Sequence, residues 1–176
     1  MRRFLPIVLG TLIVLAGIGG LLLVFQSRDG GSIDGPQGDP GPGVLEVDLG
    51  REHAPDTRKL SKSPPTTGPH PEELPAREGA WTDGEIIAAL ELGNVVLVHA
   101  SNPPPAKLVA LQKELSGGYD SRLAESGQAV ILVRRPEAED IQALAWRRRL
   151  RAQEPTDPNL RDFAEKWLGV GPPDDG

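Results

Sequence analysis

The chain has 176 residues with a formal net charge of −6 and no cysteine, which excludes disulfides, thiolate metal sites and a cysteine nucleophile together. The charges of the first 28 residues are three arginines, so the rest is more acidic than the total, and this argues against nucleic acid or an anionic lipid surface as the main partner. Aromatics make up only 4 %, beside 21 Gly and 18 Pro, so any core must come mainly from Leu, Val, Ile and Ala.

Phe4 to Phe25 reads FLPIVLGTLIVLAGIGGLLLVF and carries no charge. As a helix it measures about 33 Å, enough to cross a hydrocarbon core of about 30 Å. Arg2 and Arg3 precede it, which predicts a single pass through the plasma membrane with the N-terminus inside and the remainder outside. The run is too long for a signal peptide and LLLVFQSRDG offers no small-x-small cleavage site, so a retained anchor is expected. The bilayer is then a partner through residues 4–25. Residues 26–43 are a Gly/Pro-rich linker in which GPQ-GDP-GPG resembles three collagen triplets, too few for a triple helix.

Residues 44–78 read as a Pro-rich surface segment in which Val44–Leu49 (VLEVDL) alternates like a short strand. The compact part is expected over residues 79–170. Thr82 or Asp83 is placed to cap a helix through Glu85–Leu92, and Gly93-Asn94 turns the chain into Val95–Ala100, whose continuous apolar character predicts a buried strand. Prolines 103–105 break that strand and leave Pro105 at the first turn of a helix over Ala106–Leu115. There Leu108, Leu111, Gln112 and Leu115 recur at helical spacing. Ala129–Val133 predicts a second buried strand. Ile141–Arg151 stays open between helix, favoured by propensity, and strand. Asp157-Pro158 caps a last helix over Asn159–Leu168, and residues 171–176 form a loose tail.

Three segments together resemble the bacterial and archaeal domain-of-unknown-function family numbered thirty-one-oh-five. SPPTTGPH, with Pro64, Pro65, Thr66, Gly68, Pro69 and His70, is similar to that family's P-P-T-[ST]-G-P-H signature. Leu90, Glu91 and Gly93, followed by NVVLVHA, are similar to its H-x-L-E-H-G and strand; the third segment runs from Ile131 to the closing helix through Ala145-Trp146. The resemblance implies a membrane-anchored, outward-facing domain and resolves Ile141–Arg151 as strand. The fold class is then α/β (α+β), a small mixed sheet flanked by helices in the order α-β-α-β-β-α. The chain departs from the family where its two histidines would stand, at Ala88 and Leu92. It reads as a divergent member.

The histidines are His53, His70 and His99. A zinc or copper site needs three or four converging N, S or O donors, and their wide spacing offers no local ligand motif. His70, held between Pro69 and Pro71, is the foremost candidate; His99 ends a buried strand and reads as core, and His53 lies in a polar loop and reads as solvated. Asn94–Leu115 also looks like a thioredoxin-type strand–turn–helix, with Asn102-Pro103-Pro104-Pro105 where C-x-x-C would sit, so thiol exchange is excluded. No G-x-S-x-G elbow, S-x-x-K or phosphate-binding glycine loop occurs. Arg147, Arg149 and Arg151 are candidates for gripping an acidic partner, against the plainer reading that they pair with the domain's own carboxylates. The expected function is a non-enzymatic accessory or interaction domain without cofactor, tethered near a membrane protein complex. The rival is a zinc or copper protein using His70, Glu91 and His99.

Overall fold

The computed structural model describes residues 41–55 and 58–173, so the apolar run 4–25 lies outside the described residues. Among those described, no helix is long and apolar enough to cross a membrane. They belong to one compact unit. It is an α+β structure with a five-stranded sheet and four helices.

In chain order the elements are β1 (Val44–Leu45), α1 (Asp83–Leu92), β2 (Val95–His99), α2 (Ala106–Ser116), α3 (Ser121–Glu125), β3 (Val130–Arg134), β4 (Ile141–Ala145), β5 (Arg148–Ala152) and α4 (Pro158–Trp167). The sheet order is β1-β5-β4-β2-β3. Only β2 and β3 run parallel, joined through α2 and α3; the other neighbours are antiparallel. The strand–turn–helix read from residues 94–115 is therefore present as β2 and α2, with Asn102–Pro103 cis in the turn.

The alternation of β2 explains why VVLVH has no polar face. Val95 and Leu97 join Val130 and Leu132 under Leu108 and Leu111 of α2 and Leu160 and Phe163 of α4. Val96 and Val98 join Ile131, Val133 and Leu144 on the other side, under Ile86, Ile87 and Leu90 of α1. A strand buried on both faces must be apolar throughout. Thr82, rather than Asp83, caps α1: its hydroxyl accepts from the Glu85 amide while the Glu85 carboxylate accepts from the Thr82 amide, a reciprocal pair that satisfies two free donors. Asp83 is instead buried against Arg135 and Ser61. At the other end Gly93 takes φ +103, and Asn94 ties the turn together by donating to the Ala89 and Ala124 carbonyls and accepting from the Ala129 amide.

Three expected boundaries are corrected. Ile141–Arg151 is two strands joined by a two-residue turn at Trp146-Arg147, where Arg147 has φ +57. The α-β-α-β-β-α order therefore lacks one strand there, together with β1 and the short helix α3. The Pro-rich segment is not purely surface: Pro64, Thr66, Thr67, Gly68 and His70 are buried. Pro42, placed in the linker, accepts from the Trp167 indole at 2.8 Å, so residues 41–43 pack with the domain.

Candidate metal centre

The signature loop is fixed by its backbone before any side chain acts. Gly68 N donates to Gly50 O at 2.8 Å, His70 N to Glu52 O at 3.1 Å and Ala54 N to His70 O at 2.9 Å. These bonds lay residues 67–70 alongside residues 49–54 and set His53 opposite His70 as a parallel bridge. Thr67 Oγ1 accepts from Leu49 N at 2.9 Å, and Thr66 Oγ1 donates to Glu46 Oε2 at 2.8 Å. The polar residues of the motif are thus consumed in fastening the loop.

His70 is 2 % exposed, and its Nδ1 lies 2.7 Å from the Gly68 carbonyl. A carbonyl only accepts, so Nδ1 carries a hydrogen, and Nε2 is the atom left to face Glu91, where a proton or a metal ion must stand between nitrogen and carboxylate oxygen. Nε2 points at Glu91 Oε2, 2.7 Å away at the last turn of α1. His53 Nε2 stands 3.3 Å from the same oxygen, and its ring meets the His70 ring edge-on at 5.2 Å between centroids. Trp146 stands edge-on to His70 at 6.5 Å. All three ligand atoms lie within 4.8 Å of one another.

This donor set suits a small divalent transition metal. Tetrahedral zinc with donors at about 2.0–2.1 Å separates neighbouring ligand atoms by about 3.3 Å. The His53–Glu91 separation already has that value, and the His70–Glu91 separation needs to open by about half an ångström. The Nδ1–H to carbonyl bond is the outer contact that commonly orients a metal-binding imidazole. Two neutral nitrogens and one carboxylate oxygen fit zinc or copper, and the absence of thiolates is no obstacle.

The structure brings His70 and Glu91 together and places His99 elsewhere. His99 Nδ1 bonds the Ser101 carbonyl at 3.1 Å, and burial, with Arg134 nearby, pushes its imidazole below the ordinary value of 6.5. His53 takes the third position. The 17-position separation of His53 and His70 is no metal-ligand spacing, and only the loop pairing makes the two neighbours. Of the remaining motif residues, Leu90 is fully buried beneath α1 and Gly93 closes that helix, so both position Glu91. Pro64 supplies a carbonyl to Arg149, and Pro69 is exposed. Pro65 is half-buried.

The arginines all meet carboxylates of this chain. Arg149 is buried and forks onto Glu46, with Nε–Oε1 at 2.5 Å and Nη2–Oε2 at 3.0 Å. Arg151 pairs with Asp140 at 2.9 Å and Arg147 with Asp48 at 3.7 Å. Burial raises the Glu46 carboxyl, but the bonds from Arg149 and Thr66 outweigh it and hold the group below the ordinary 4.5.

No curated protein and no solved structure matches this chain. A family model described as Protein of unknown function (DUF3105) matches residues 53–174. The match takes in more than half of the chain, begins at His53 and includes the whole His53, His70 and Glu91 cluster. The chain therefore belongs to DUF3105.

Proposed function

We propose that this protein is a membrane-held binding domain whose site is a divalent transition-metal centre of His53, His70 and Glu91, taking zinc or copper. The observation that carries the reading is the orientation of His70. Its Nδ1 is committed to the Gly68 carbonyl in a buried setting, and its Nε2 is aimed at Glu91 with a second imidazole converging. A His70–Glu91 pair alone would serve to pin the loop to α1; the third donor makes the cluster a ligand set. The reading is of binding rather than catalysis. The anchor expected over residues 4–25 supports a role at the outer face of the plasma membrane, beside a membrane protein complex.

Metal analysis of the intact chain, purified in detergent and incubated with zinc or copper, tests the centre. One ion per chain is expected, lost in His70→Ala and in Glu91→Gln and kept in His99→Ala. Failure to take up metal, or uptake indifferent to His70→Ala, overturns the reading. The placement is tested separately by adding protease to intact cells, where digestion of the domain is expected and protection would refute it.

A further inference from the structure

We infer that the ion at this centre keeps one coordination position open toward a shallow groove, and that the position takes a neutral imidazole nitrogen, such as a partner's histidine, in preference to a carboxylate or phosphate. The inference rests on the metal reading above. It concerns what that centre recognises.

Its first support is the donor count. Among the described residues three ligand atoms converge, whereas a tetrahedral ion uses four, and a centre with three protein ligands leaves the fourth place to water or an incoming group. The second is exposure. His70 is buried and Glu91 is mostly covered, but the His53 side chain is 53 % exposed, so the cluster meets solvent on the His53 side. The third is what lies on that side. His53 lines a groove of about 360 Å³ together with Ala54, Pro55, Pro71, Glu72 and Glu73.

The composition of the groove selects the ligand. A divalent ion with one coordinated carboxylate is a single net positive charge, and the two exposed carboxylates of the groove, Glu72 and Glu73, oppose it. An incoming anion meets that field, while a neutral donor does not. The remaining walls, Ala54 with Pro55 and Pro71, are apolar and can flank a flat ring. An imidazole combines a neutral nitrogen donor with such a ring, and nitrogen donors suit zinc and copper.

The test uses the intact chain loaded with cobalt(II), whose visible absorption reports its ligands. Imidazole and acetate are titrated separately into the loaded protein. Saturable change with imidazole is expected, with acetate about tenfold weaker or more and gaining on imidazole in the Glu72→Gln/Glu73→Gln variant. If cobalt is bound and imidazole leaves the spectrum unmoved, the ligand set is closed and this inference fails while the metal centre stands. Acetate binding as tightly as imidazole overturns the ligand class. Absence of cobalt, zinc and copper uptake alike removes the centre itself and this inference with it.

Discussion

Gly68 links the backbone of the signature loop to the chemistry of His70. Its φ of +132 is a conformation that side chains rarely adopt, and its carbonyl is the acceptor that fixes the His70 ring. A methyl group there would find room, with Leu49 Cβ at 3.7 Å and Ile87 Cδ1 at 3.8 Å, so the cost of Gly68→Ala is backbone strain rather than a clash. We expect a loss of about 1–3 kcal/mol in urea unfolding, accompanied by weaker metal uptake. An unchanged midpoint would show that the loop relaxes without strain. His70 was legible in the sequence because two flanking prolines mark a stiffened backbone. His53 was not, because its neighbour is chosen by a bridge between two irregular segments, which leaves no periodicity to read.

The β4–β5 hairpin and the loop it carries behave as one piece. Trp146-Arg147 contains neither glycine nor asparagine, the residues that usually announce a two-residue turn, so Ile141–Arg151 read as one strand. Folding back places Arg149 on the face opposite Leu150, where it reaches Glu46, Gln142 Oε1 and the Pro64 carbonyl at once. One guanidinium thereby joins the chain just after β1, β4 and the signature loop. Glu46→Ala leaves that buried cation without its carboxylate and should cost about 2–3 kcal/mol in denaturant unfolding. A loss below about 0.5 kcal/mol would mean that the pair contributes no more than a surface salt bridge. Pairing with the domain's own carboxylates is the favoured expectation for these arginines, ahead of a surface for an acidic partner. Which carboxylates they meet, Asp48, Glu46 and Asp140, follows from the fold and not from spacing along the chain.

Titration draws the whole domain together. Burial lowers the His99 imidazole below 6.5, the Arg149 fork and Thr66 hold Glu46 below 4.5 against its burial, and burial raises Glu78 above 4.5. For the two lowered groups the stabilising contribution is complete above the unfolded value and is lost as pH falls through the folded one. For Glu78 the contribution is complete below 4.5 and is lost as pH rises through its raised value. Stability should therefore fall on acidification first below 6.5, through His99, and again below 4.5, through Glu46, with Glu78 opposing the first decline as its contribution is regained on the way down to 4.5. Urea midpoints compared between the parent chain and His99→Gln should show the first decline shrinking in the variant. Parallel curves would remove His99 from this account.

The apolar runs, the caps and the proline breaks are local signals, and from them residues 82–116 and 129–134 could be read in nearly their observed form. Each depends on neighbours within a few positions, and both faces of β2 demand the same apolar character wherever its partners come from. The PPTTGPH motif pointed to the family in the same way, and within it Thr66 supplies a bond and Gly68 a backbone angle. Sheet order and the meeting of His53 with His70 and Glu91 depended on contacts between residues 17 to more than 100 positions apart. Such contacts are selected by which surfaces bury together and which buried charges find a partner. Those are properties of the packed domain rather than of any stretch of its chain.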